Sequence, residues 1–71
     1  SVTWPEVARQ IAFFGEDSDR GRILRRHGLP EKRESSPALD AEIWRYETQG
    51  ITYWFNGDRL VEISTRPPAR P

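Results

Sequence analysis

The sequence predicts an α+β domain in which two N-terminal helices pack on a three-stranded antiparallel meander. Two observations carry that reading. Apolar residues recur at three-and-four spacing through the first part of the chain, the period of a helix with one buried face. Further on, "QG" at 49–50 and "NGD" at 56–58, both hairpin signals, divide an aromatic-rich stretch into short runs of β-branched and aromatic residues.

The first helix is expected over residues 4–14. In "TWPEVARQIAFF", Thr3 is the N-cap, Pro5 sits in the first turn, and Glu6 completes a capping box. Trp4, Val7, Ala8, Ile11 and Phe14 form one stripe, with Glu6, Arg9 and Gln10 on the other side. Gly15 ends the helix. A second, shorter helix follows, capped by Asp17 or Ser18, with acids in its first turn and Arg25, Arg26 and His27 in its last, where they complement the helix dipole. Gly28 supplies the left-handed residue after the helix, Leu29 can reach back to Leu24, and Pro30 forbids continuation. Gly21 weakens this helix by about 1 kcal/mol relative to alanine, so it depends on the packing of Ile23 and Leu24.

The polar segment "EKRESSPALDA" reads as a connecting loop. Three strands are then expected at residues 42–48, 51–56 and 60–64. A two-residue turn at Gln49 and Gly50 sets Tyr46 opposite Tyr53 and Trp44 opposite Phe55. A three-residue turn at Asn56, Gly57 and Asp58 adds Val61 and Ile63 to the same face; the two-residue alternative would turn Leu60 and Glu62 inward. The expected core is therefore Trp4, Val7, Ile11, Phe14, Ile23, Leu24, Trp44, Tyr46, Tyr53, Phe55, Val61 and Ile63. On the opposite face this register puts Trp54, Leu60, Arg45, Thr52, Glu47 and Glu62. Residues 1–66 form a single domain, and "RPPARP" continues into a polyproline-like tail, extended over 67–71.

Eleven basic residues balance eleven acidic ones, so no net field draws in nucleic acid or anionic membrane at long range. There is no cysteine, which removes disulfides and thiolate chemistry, and the single histidine excludes the usual zinc arrangements. No metal and no cofactor are expected. No apolar run approaches the ~20 residues that span a bilayer, so this segment is not expected to insert into a membrane. With no methionine in the chain, Ser1 is expected to be a trimmed or processed start, or the start of a domain cut from a longer protein, in which case a preceding signal or anchor would not be seen.

Catalysis is not expected. His27 stands among Arg25 and Arg26 as a helix-end cation, and Glu16, Asp17 and Asp19 are acids that a helix start attracts for its own stability. The favoured function is non-catalytic protein binding through Trp54, Leu60 and Arg45, with Thr52, Glu47 and Glu62 as polar surroundings: a tryptophan on the non-core face of a sheet, beside a leucine and a guanidinium, has the composition of an interface anchor. The alternative is nucleic acid or another polyanion bound through Arg22, Arg25, Arg26, Lys32 and Arg33, against which stand the acids flanking that run. An exposed sheet edge can also pair two copies of the chain.

Gly15, Ser18, Ile23, "HGLP" at 27–30, "WRY" at 44–46 and "YWFNGDRLVEI" at 53–63 follow most of a recurring pattern: small turn, hydroxyl cap, apolar helix, Gly-x-Pro, then aromatic strands ending in an F-x-G-x-L hairpin, in which this chain has one further residue between Gly57 and Leu60. In this the chain resembles the SmpA/OmlA (BamE-like) outer-membrane lipoproteins and the β-lactamase inhibitor protein. Where that family has G-M-T before the second helix, "GEDSD" stands here, and the family's lipidation cysteine is missing. The resemblance implies binding of another protein, in envelope assembly or as an inhibitor, through the outer sheet face. It also implies a place in the cell envelope; without it a cytoplasmic location is the expectation.

Overall fold

The computed structural model describes residues 4–66. Thr3, expected to cap the first helix, and the expected tail at 67–71 lie outside the described residues. Two helices, α1 (Trp4–Phe14) and α2 (Asp19–His27), are followed by β1 (Lys32–Ser36), β2 (Ala41–Tyr46), β3 (Ile51–Asn56) and β4 (Arg59–Thr65). The strands form one antiparallel sheet in the order β1-β2-β3-β4. The α+β order is as expected, but the sheet has four strands rather than three.

The additional strand comes from the segment expected to be a loop. "KRESS" has no apolar alternation, and it becomes β1 because β2 offers an open edge, pairing Arg33 with Trp44 and Glu34 with Ile43. The Pro and Asp of "SPALD" are the turn of this hairpin: Leu39 N–H bonds Ser36 O at 3.1 Å, and Asp40 takes a positive φ of 51°. Glu31, just before β1, accepts from the hydroxyl and backbone N–H of Thr48 (2.7 and 3.0 Å). The Thr48 hydroxyl, followed by its N–H, holds the Glu31 carboxyl below its ordinary value of 4.5.

Helix α2 starts as a hydroxyl-capped helix should. Ser18 Oγ accepts from Gly21 N–H at 2.9 Å and donates to Gly15 O at 2.7 Å, which folds the α1–α2 connection under the helix start. At the other end Gly28, with φ 80°, donates its N–H to Leu24 O. α1 packs chiefly on α2 and reaches the sheet at its C-terminal end, where Phe14 meets Trp44 edge-on at 5.9 Å. Only Val7 of α1 is fully buried, with Ile11 and Phe14 packed at the margin. Trp4, expected in the core, is exposed, because its end of α1 is not covered by the sheet.

The core lies between α2 and one sheet face, and consists of Val7, Ile23, Leu24, Trp44, Tyr46, Tyr53 and Phe55. The Tyr46 hydroxyl donates to Gly28 O at 2.8 Å, fastening β2 to the end of α2, and burial pushes the phenols of Tyr46 and Tyr53 up. β2 and β3 pair two residues away from the expected register, with Trp44 opposite Tyr53 and Tyr46 opposite Ile51. Their connection is a 3-10 turn, Glu47–Gln49, closed by Gly50 in the left-handed conformation (φ 69°), rather than a two-residue turn. A shift of two keeps every side chain on its expected face.

β3 and β4 are joined by a two-residue turn, Gly57 and Asp58, that pairs Phe55 with Leu60; the register then shifts so that Trp54 faces Glu62 and Tyr53 faces Ile63. Val61 is the extra residue of this bulge. Leu60, expected on the outer face, therefore packs against the core. Val61 and Ile63, expected inside, are 60% and 54% exposed. The bulge resolves a conflict that neither simple turn could, since it turns Leu60 inward while keeping Glu62 outside.

Candidate functional site

Both helices lie on the face that carries Trp44, Tyr46, Tyr53 and Phe55, so among the described residues no helix covers the other face of the sheet. Its middle row is Ile43 beside Trp54 beside Glu62, and the neighbouring row is Lys32 beside Arg45 beside Thr52. Ile43 is only 6% exposed despite lying on this open face. Trp54 is half-buried, and its indole Nε1 is out of reach of water with no hydrogen-bond partner among the described residues. Arg45 Nε donates to Glu34 Oε1, joining β1 and β2 across this face.

Of the residues expected to form a protein-binding patch, Trp54, Arg45, Thr52 and Glu62 share this surface. Leu60 does not, for the reason given by the bulge. Glu47 does not belong to the sheet either: it starts the 3-10 turn and approaches Lys32 Nζ at 3.7 Å.

The five cations expected to act together are divided. Lys32 and Arg33 are consecutive strand residues and so point to opposite faces, Lys32 outward and Arg33 over the Trp44 ring at 4.6 Å on the helix side. Arg33 also donates to Gln10 of α1 at 3.4 Å. On α2, Arg22 pairs with Asp19 (2.7 Å) and Arg25 with Glu16 (2.6 Å). Arg22, Arg25 and Arg26 line a groove of about 570 Å³ between α2 and β4, together with Ile23, Tyr53, Leu60 and Ile63.

Two polar side chains on the sheet-facing side of α2, the buried Arg20 and the half-buried His27, escaped the sequence reading. Arg20 is 9% exposed: its guanidinium bonds Glu42 at 2.9 Å and lies 4.5 Å from the Phe55 ring centre, 5.4 Å from that of Phe14 and 5.8 Å from that of Trp44. His27 is held by Gln49 at Nδ1 (2.6 Å) and by the Tyr53 hydroxyl at Nε2 (2.7 Å), and its ring lies 4.8 Å from that of Tyr46. The signal was present. Arg20, Ile23, Leu24 and His27 follow the spacing of a single helical stripe, so the two polar residues had to face inward with the two apolar ones.

With both nitrogens engaged, His27 braces α2 against the β2–β3 turn. Among the described residues no group of three or more His, Cys, Asp or Glu side chains could hold a metal ion, and no helix is long and apolar enough to cross a membrane. The fold and its surfaces define a small α+β domain with one helix-covered and one open sheet face. No family model, curated protein or solved structure matches the chain.

Proposed function

We propose that this domain is a non-catalytic protein-binding module that docks through the open sheet face, with Trp54 as its anchor and Arg45, Thr52 and Glu62 around it. The observation that carries this reading is the Ile43–Trp54 pair. A large aromatic directly across the strand pair from a buried aliphatic, on a face that no described helix covers, sits among side chains of both charges. That is the arrangement of a hot spot with a polar rim.

The resemblance of "HGLP" and "YWFNGDRLVEI" to the BamE-like and inhibitor proteins supports the same reading, since that family acts by binding proteins. The fourth strand widens the surface beyond the three-stranded meander it would otherwise offer.

Trp54→Ala and Glu62→Lys test the face separately. Each should reduce capture of a partner by immobilised protein at least about tenfold, the scale of a hot-spot truncation. Phe13→Ala, on an exposed helix position, should leave capture intact. Glu62 is exposed, so its variant should melt close to the parent. Capture undiminished by both outer-face variants would overturn the proposal, as would binding that appears only with nucleic acid and falls on replacing Arg22, Arg25 and Arg26.

A further inference from the structure

β4 is an edge of the sheet, and its free side is open only in part. Arg66 donates its N–H to Gly50 O at 2.9 Å, so Ser64 and Glu62, in step with Arg66, turn their backbone groups toward β3. Ile63 and Thr65 therefore turn theirs to the free edge. At the start of the strand the outward N–H of Leu60 is already taken by Asp19 Oδ2 at 2.8 Å. Among the described residues the unpaired edge thus lies at Ile63 and Thr65, beside α2.

Three features of the adjoining groove say what would satisfy it. Its floor is apolar, built from Ile23, Tyr53, Leu60 and the half-exposed Ile63. Its volume, about 570 Å³, falls within the ~300–1,000 Å³ of ligand-sized clefts. Its rim carries Arg22, Arg25 and Arg26 against a single carboxylate, Asp19, whose oxygens are occupied by Arg22 and the Leu60 N–H. The pair between Arg25 and Glu16 is exposed, so exchanging it for another carboxylate costs little.

We infer that the groove between α2 and β4 binds an extended acidic peptide that adds to β4 as a fifth strand. Its backbone bonds the free groups of Ile63 and Thr65. The side chains it turns toward α2 alternate with period two, placing an aliphatic on the Ile63–Leu60 floor and carboxylates against the arginines. A second copy of this chain is a poorer occupant, because pairing β4 with its twin would set two identical arginine rims on the same side of one continuous sheet. A nucleic acid would meet the arginines but leave the apolar floor and the edge amides unmatched. This surface is separate from the open sheet face, and neither reading depends on the other.

The test uses the full chain and a blocked seven-residue peptide with Glu, Ile, Glu and Ile at odd positions and Thr between them. Saturable binding by calorimetry should be accompanied by slowed amide exchange at Ile63 and Thr65. Replacing both Arg25 and Arg26 with Ala should weaken binding about tenfold or more, as the loss of charge-assisted contacts implies. Thr65→Pro removes only a donor that faces away from β3, and should weaken binding by a similar factor of about ten while the circular dichroism spectrum stays that of the parent. N-methylation of the peptide amides that face β4 should do the same. Affinity unaffected by N-methylation and by Thr65→Pro, yet lost with the arginines and equalled by a short oligonucleotide, would show a charge-only site and overturn the inference. No saturable binding at millimolar peptide would overturn it, as would a peptide-independent dimer that Thr65→Pro dissolves.

Discussion

Gly21 occupies the middle of α2, where alanine would ordinarily raise helix stability by about 1 kcal/mol. Here a Cβ at Gly21 would stand 1.9 Å from the carbonyl oxygen of Gly15, which is also the acceptor for Ser18. That oxygen belongs to the backbone and cannot swing aside. Gly21→Ala is therefore expected to destabilise the domain by about 1–3 kcal/mol in urea unfolding, the opposite sign from helix propensity. Arg20, one residue earlier, combines a salt bridge to Glu42 with three aromatic neighbours, so its aliphatic stem and planar head fill space that alanine would empty. Arg20→Ala should cost about 2–4 kcal/mol, less than a fully buried pair because Glu42 keeps partial access to water. Arg20→Met, which restores volume but no charge, should recover part of that loss. A surface residue would lose nothing in either variant.

The helices and the central strands were legible because each carries its own local signal: a cap, a period, a glycine stop. β1 was not, since "KRESS" reads as a solvated connection and becomes a strand through backbone pairing with β2. The "QG" signal located the β2–β3 connection correctly but not its form. Glu47–Gln49 coil into a 3-10 turn, and the faces survived only because the resulting shift is even. Neither of two clean turns matches the second hairpin, whose bulge at Val61 reverses the expected places of Leu60 and Val61, while Ile63 keeps its expected face opposite Tyr53 but is half-exposed there. Of the candidate binding residues, Trp54, Arg45, Thr52 and Glu62 were readable from alternation. Leu60 was not, because a bulge leaves no mark in a period-two pattern.

Across the whole molecule, one core joins both helices to a single sheet face, and two tyrosines lie at its heart. Burial raises the pKa of Tyr46 and Tyr53 above the ordinary 10.0, so the folded state keeps phenolic protons that the unfolded state releases. Their contribution is complete below pH 10.0 and is lost as pH rises past it. The urea midpoint should accordingly fall steeply above that pH, and Tyr46→Phe should flatten the fall. It should also lower stability at neutral pH by about 1 kcal/mol through loss of the bond to Gly28 O. A decline of the same steepness in Tyr46→Phe would show that Tyr46 is not its source.

Periodicity, caps and turn residues in the chain were enough to establish two helices, an antiparallel aromatic sheet and the face on which each central-strand residue lies, because those signals act over a few residues. Packing settled the rest. It recruited "KRESS" as a strand, turned Leu60 inward, and left β4 with a partly open edge, among the described residues, beside three arginines. Each of these outcomes depends on which surfaces meet across the fold, and no window of neighbouring residues contains that information.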